Sequence, residues 1–274
     1  MKERTLKKKI KFKGKGIHTG EITSIILYPQ NKGGIRFLKN GLEIEANLNN
    51  VTESNNSTIL YKDGETIMTV EHLLSAIFGA GIDHCLIETD GPEIPIMDGS
   101  SLPFYNGLKN VGFEELKKDK VFFQIKALSA LEGPGKYISA TQFDKLSIYA
   151  VVSFPYKFLF LQEFSYTEDK NYGEEIAPAR TFGLEEWVSE LKNKGLIKGA
   201  DLTNVLYYDK NGPVNTPRFE SEVVRHKILD FIGDLSLLSV NIKGKFIILR
   251  GGHNLHHKFL KMLSNRSVNE KKET

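Results

Sequence analysis

The sequence predicts an α+β protein of two domains, on three observations. The chain has 274 residues, and at ~100–200 residues per domain that makes one or two domains. Twice along the chain, short β-rich runs give way to helical patterns. Between the two series lies a charged stretch at 114–120 (EELKKDK) that breaks the apolar pattern and marks the expected boundary. The expected division is 1–118 and 119–268, with a polar tail at 269–274. No fixed-period sequence repeat accompanies the shared order.

In the first series, 23–28 (TSIILY) and 34–38 (GIRFL) are β-rich runs bounded by turn residues, and read as strands. Residues 69–78 (TVEHLLSAIF) change to helical character, with Thr69 as the expected cap and Gly79 as the stop. Residues 84–89 return to strand. Gly91-Pro92, Pro95 and Asp98-Gly99 punctuate a loop before a short helix at 103–111. In the second series, strands are expected at 121–125, 146–152 and 158–164, with a turn at Gly133-Pro134-Gly135. A helix at 184–194, a strand at 204–208 and a long helix at 220–238 follow. A strand at 244–250 and a closing helix at 255–263 complete the chain, and 267–274 reads as a frayed end.

Composition narrows the classes. Hydrophobic residues are 40% and charged residues 26%, which suits a globular protein and excludes global disorder. No run approaches the ~18 apolar residues of a membrane helix, and the start lacks the apolar core of a signal peptide. The expectation is a cytoplasmic protein. Basic residues number 37 against 34 acidic, a net +3 that is too small to argue for nucleic acid. The excess is local, with Lys2, Arg4, Lys7, Lys8, Lys9, Lys11, Lys13 and Lys15 crowding the start. Attraction to anionic head groups explains that cluster, and so does an edge strand guarded by lysines. The single cysteine, Cys85, excludes an internal disulfide and a cysteine-based zinc cluster. A reducing compartment follows.

Three of seven histidine contexts are informative. Glu71-His72 sit in a helical run, where neighbours diverge by ~100° yet can border one site. A ligand with an adjacent carboxylate base makes chemical sense, although an ordinary surface or core pair fits as well. In RHKILDFIGD, His226 and Asp230 are four apart, one turn along one helix face, and can clasp one metal ion. Asp234 extends that polar row on a helix otherwise suited to burial, where an unpaired charge would be costly. A helix-surface pair is the other reading. His253 follows Gly251-Gly252 after an apolar strand, in the kind of loop that carries catalytic side chains and also surface turns. Together these offer two imidazoles and one carboxylate to a metal, with Glu71 and His253 spare. Catalytic zinc is held that way, by three protein ligands and an open position.

The segments TVEHLLSAIFGAGID, IPIMDGSSLPF, ARTFG, VRHKILDFIGDL and GGHNL closely resemble the UDP-3-O-acyl-N-acetylglucosamine deacetylases, zinc enzymes of lipid A synthesis. The matches run in the family's order from GKGIHTG at 14–20 to beyond His253, nearly the whole chain. The resemblance implies one Zn2+ held by His72, His226 and Asp230. It implies Glu71 as general base, His253 as general acid with Asp234 bonded to its imidazole, and Thr181 as a donor to the oxyanion. It places Phe182 and Lys227 against substrate. The fold it implies is two similar domains, each a small, mostly antiparallel sheet with packed helices, layered as a sandwich with the active site between them. It also implies a β-α-β insert near 183–206 that forms an apolar passage for the acyl chain. There Trp187, Val188, Leu191, Leu196 and Ile197 are spaced to line one face, as a plain core helix would also require.

Two departures stand out. His256-His257 replace asparagines common after the catalytic histidine, and read as helix-start residues able to bind a further metal or to shift the pH profile. His84 stands where asparagine is frequent, with no expected effect on function.

The implied reaction gives acetate and a free amine from a UDP-linked, acylated glucosamine, in a monomer. The amphiphilic substrate and basic start allow weak membrane-surface contact without an anchor. One rival is a non-catalytic, zinc-containing binder of acylated nucleotide-sugars, against which Glu71 and His253 speak. The other is an RNA-binding module, which lacks an aromatic stacking motif.

Overall fold

A computed structural model describes residues 1–54, 56–126 and 128–270, with side chains through Asn265. Its first part runs β1 (Lys2–Leu6), β2 (Ile10–Lys15), β3 (Ile22–Pro29), β4 (Ile35–Lys39), β5 (Leu42–Glu45), β6 (Val51–Thr52), β7 (Ile59–Lys62), β8 (Glu65–Ile67), α1 (Glu71–Gly79), β9 (Cys85–Thr89), α2 (Leu102–Val111) and β10 (Phe113–Asp119). The second runs β11 (Phe122–Gln124), β12 (Ser129–Gly133), β13 (Lys136–Thr141), β14 (Leu146–Val152), β15 (Gln162–Thr167), α3 (Tyr172–Glu175), β16 (Phe182–Leu184), α4 (Glu185–Asn193), β17 (Leu206–Asp209), β18 (Gly212–Pro213), α5 (Glu222–Ser236), β19 (Asn241–Leu249) and α6 (His253–Glu270).

The α+β class is as expected, and the two main sheets share one topology. The first has the order β2-β3-β9-β4-β5 and the second β12-β13-β19-β14-β15. In each, the central strand comes last of the five in the sequence. It pairs antiparallel on one side (β3–β9, β13–β19) and parallel on the other (β4–β9, β14–β19). The likeness of the two halves is thus one of topology, written in dissimilar sequence.

Pleating explains the sheets. β19 alternates buried and outward residues, sending Ile242, Phe246 and Ile248 inward. Leu27, Phe37 and Ile87 do the same for the first sheet, and both inner faces join one apolar core with Leu73 and Phe231 of the helices. Each such side chain contributes about 1.5–3 kcal/mol when fully buried. α5 lies inside this core, with twelve of its fifteen residues buried. It packs on α1, and Gly233 sets their closeness. A Cβ at Gly233 would lie 2.3 Å from the Glu71 carbonyl oxygen, so only glycine allows the two backbones to approach.

Several local expectations need correction. Thr69 does not cap α1. Val70 holds that position without a side-chain bond, while Thr69 takes φ +58° and its hydroxyl donates to Glu93 Oε1 at 2.9 Å. The charged stretch 114–120 is no break, because most of it forms β10, an exposed strand antiparallel to β1. Cross-strand pairs such as Arg4–Glu115 and Lys2–Asp119 make its charges compatible with pairing. The strand expected at 158–164 is a 3₁₀ turn (Lys157–Leu159) followed by β15. α6 starts two residues early and runs through Glu270, into the expected tail; 271–274 lie outside the described residues. The lysine-rich start forms β1 and β2, and β2 is an edge strand of its sheet with Lys11 and Lys13 exposed. Among the described residues, no helix is long and apolar enough to cross a membrane.

Candidate metal centre and active site

The crossing of α1 and α5 builds the site. Glu71 and His72 open α1, while His226, Asp230 and Asp234 succeed one another at one-turn intervals along α5. His253 is the first residue of α6, after the Gly251-Gly252 bend. A cleft of about 880 Å³ runs past them, and Glu71, His72, Thr181, Phe182, His226, Lys227, Asp230 and His253 all line it. Of the expected site residues only Asp234 lies off its wall, buried behind His253.

His72, His226 and Asp230 each offer one atom, all within 4.8 Å of one another. Asp230 Oδ1 is 3.3 Å from His226 Nε2 and 3.9 Å from His72 Nε2. The two rings meet edge to face, with centroids 5.1 Å apart. His226 donates from Nδ1 to the Ala179 carbonyl at 3.1 Å, which turns the Nε2 lone pair toward the group. Burial drives His72 down to about 3, with His226 adding to the shift, so its imidazole is neutral. Burial likewise lowers His226. Burial opposes ionisation of Asp230, but His226 and Lys227 hold it well below the usual carboxylate range. Two neutral imidazoles and an ionised carboxylate form a donor set fit for a divalent metal of the zinc type. A second group of donor atoms, on Asp234, His253 and His256, is joined internally by hydrogen bonds.

Glu71 is buried, and desolvation pushes its carboxyl up to about 8 despite the facing His253. Its Oε2 accepts from the Thr58 amide at 2.9 Å, and Oε1 lies 3.8 Å from His253 Nε2. Burial works against a charged His253, yet the Asp234 carboxylate overcomes it and raises the imidazole to about 9. Asp234 accepts from His253 Nδ1 at 2.8 Å. A buried carboxyl and a buried imidazole therefore face each other beside the metal donor set.

Lys227 is placed differently from a free substrate contact. Its Nζ bonds Asp230 Oδ2 at 2.8 Å and sits over the Phe182 ring, 5.5 Å from the centroid. Phe154 meets Phe182 and Trp187 edge to face, and Phe182 and Trp187 are tilted at 51°, all with centroids 5.7–5.8 Å apart. Trp187, Val188, Leu191 and Ile197 line the cleft, with the charged Glu190, Lys192 and Lys194 beside them, while Leu196 is not among its walls. The carrying element is the expected β-α-β unit, with β16 parallel to β17 and α4 between them.

Sequence reading missed Ile17, His18, Asn56, Lys136 and Arg250, which also line the cleft. It also missed Thr58, whose hydroxyl donates to Asp234. His18 had a legible signal in GKGIHTG; Thr58 lies in a polar run with no periodicity. His84 accepts from the Gly34 amide at Nδ1 and meets Glu3 at Nε2, away from the cleft.

A buried two-histidine, one-aspartate donor set beside a facing carboxyl and imidazole fits a metal-dependent hydrolase. A family model for UDP-3-O-acyl N-acetylglycosamine deacetylase matches residues 3–265. The chain belongs to that family, a family of metalloenzymes, and is an enzyme. The UDP-3-O-acyl-N-acetylglucosamine deacetylase of Aquifex aeolicus is 41% identical over 268 residues, 96% of this chain and 93% of the relative. Deacetylases of the same name from Geotalea uraniireducens and Nitratiruptor sp. are each 36% identical, covering 97% and 100% of this chain and 89% and 95% of theirs.

Proposed function

We propose that the chain hydrolyses the N-acetyl group of UDP-3-O-acyl-N-acetylglucosamine, giving acetate and UDP-3-O-acyl-glucosamine, a step of lipid A biosynthesis. One observation carries this reading. The donor set and the Glu71–His253 pair line a single cleft together with the apolar Phe182, Trp187 and Leu191, in a chain akin over 96% of its length to a deacetylase of that name.

His72, His226 and Asp230 are the proposed ligands of one Zn2+. Bound there, the ion supplies activation of water and Lewis-acid stabilisation of developing charge. Glu71 takes the proton of the attacking water, as a carboxylate whose Oε2 is held by the Thr58 amide. The Thr181 hydroxyl donates to the oxyanion, a contact of roughly 3–4 kcal/mol when well placed. His253, cationic beside Asp234, gives its Nε2 proton to the departing nitrogen. Lys227 steadies Asp230 and lends positive charge to the polar part of the substrate. Phe182 and Trp187 lie on the part of the wall that takes the acyl chain.

The proposal includes a division into domains 1–118 and 119–268, supported by the pairing of β10 with β1 and of β11 with β19. It also includes a cytoplasmic monomer with, at most, weak membrane-surface contact. The deciding experiment measures zinc content and deacetylation of UDP-3-O-acyl-N-acetylglucosamine before and after chelation. About one zinc per chain, with activity lost on chelation and restored by zinc, is the expected outcome. A fully metallated protein that leaves the acetyl group in place would refute the reading.

A further inference from the structure

Asp234 is fully buried and its carboxylate receives four hydrogen bonds. Oδ1 accepts from the Thr58 hydroxyl at 2.5 Å and from His257 Nε2 at 3.1 Å. Oδ2 accepts from His253 Nδ1 and from His256 Nδ1, each at 2.8 Å. An ionised carboxylate can only accept. Each facing nitrogen is therefore assigned as a donor, and the Thr58 hydroxyl oxygen, 3.1 Å from both His253 Nδ1 and His257 Nε2, shares two of these hydrogens.

Residues 253, 256 and 257 stand at the i, i+3 and i+4 places of α6, which share one helix face. All three imidazoles thus converge on one carboxylate of α5. The fit is close. A Cβ at Gly251 would lie 2.7 Å from His256 Nε2, so glycine there is what lets the ring in. That Nε2 is buried and, among the described residues, has no hydrogen-bond partner, which leaves Asp234 as the one polar contact of the His256 ring among them.

We propose that His256 and His257 are positioning residues for His253. The terminal torsion of an aspartate is soft, and a carboxylate held by Thr58 and His253 alone could turn about it. His256 fixes one oxygen and His257 the other. Asp234 then takes the Nδ1 hydrogen of His253, and the His253 Nε2 is left facing the cleft, 3.8 Å from Glu71 Oε1. The inference rests on the hydrolase reading, in which that Nε2 donates the proton.

The test replaces each histidine twice in the full-length, zinc-loaded chain. His256→Asn and His257→Gln keep an N–H near the place of Nδ1 and Nε2 respectively, while His256→Leu and His257→Leu remove it. The leucine variants should lose about 10–100-fold in kcat, the usual cost of removing a group that orients an active-site ligand, at nearly constant KM. The amide variants should recover most of that loss. Unchanged kcat in folded leucine variants, or equal losses in the amide and leucine variants, would overturn the proposal.

A second measurement needs no variant. Nitrogen-15 NMR of histidine-labelled wild-type protein should place hydrogens on Nδ1 of His253 and His256 and on Nε2 of His257. A bare Nε2 on His257 or a bare Nδ1 on His256 overturns the positioning role, whatever the variants do. Should the wild-type chain fail to deacetylate the nucleotide-sugar, the functional reading fails, and the NMR pattern still decides the inference.

Discussion

At the scale of single residues, the proposed roles separate cleanly by what each side chain touches. Glu71 faces His253 and the Thr58 amide and is not one of the three donor residues. Glu71→Gln should therefore keep the metal and lose about 10²–10⁴ in kcat; metal analysis and initial rates on the same preparation check both halves. Asp230 Oδ1 lies 3.3 and 3.9 Å from the two imidazoles, so Asp230→Ala should lower the metal retained through gel filtration. Unchanged stoichiometry would remove it from the ligand set. These residues were legible because chemistry and spacing coincide: His226 and Asp230 share a helix face, and Glu71-His72 stand together. Thr58 and Asn56 were not legible, because a polar loop residue shows its role only once a distant chain segment folds against it. His256 and His257 do open a helix, as read, but spacing alone cannot say which buried group a helix face meets.

At the scale of elements, α5 explains much of the molecule, and its two ends are separately testable. Toward its C-terminal end, Gly233 abuts the Glu71 backbone. Gly233→Ala should push α1 and α5 apart at a cost of about 1–3 kcal/mol, the usual price of overpacking, and should weaken metal binding along with thermal stability. An alanine variant with an unchanged melting temperature would refute the close-approach argument. At its start, Glu222 is buried and bonded to Arg180 Nε at 2.8 Å and to the Arg180 amide at 3.0 Å. Burial alone would raise this carboxyl; Arg180 and the Arg218 amide hold it below its ordinary value. A depressed carboxylate contributes stability above its unfolded value of ~4.3 and loses it as pH falls toward the folded value. Glu222→Gln should thus cost stability at pH 7, by about 3 kcal/mol for a broken buried pair, and the gap from wild type should close below pH ~4. Denaturant titrations at both pH values give the answer. The helices were readable from period and length, whereas β5 to β8 were not, and of the β12–β13 hairpin only the turn at Gly133-Pro134-Gly135 was read. They are short, and their pairing depends on partners that no local window contains. β10 was hidden for another reason: a strand whose residues are mostly exposed carries no apolar alternation.

At the scale of the whole molecule, the two sheets repeat one topology around helices that meet face to face. The class and the two-part organisation were legible from the repeated strands-then-helices order. The shared strand order was not, since it lies in long-range pairing and leaves no sequence period. A metal held from both α1 and α5 binds the folded state alone, so its removal should lower the melting temperature by mass action. A melt unchanged by exhaustive chelation would separate the metal from the fold.

The repeat has one more consequence. α1 precedes the central strand β9, and α5 precedes the central strand β19, so the two helices are counterparts. On the proposed ligand set, His72 comes from one counterpart and His226 with Asp230 from the other. During translation the first helix leaves the ribosome with a single imidazole, and its companions are not yet made. Loading of the ion is therefore a late event in the life of each new chain, closing a centre that neither half can form in isolation.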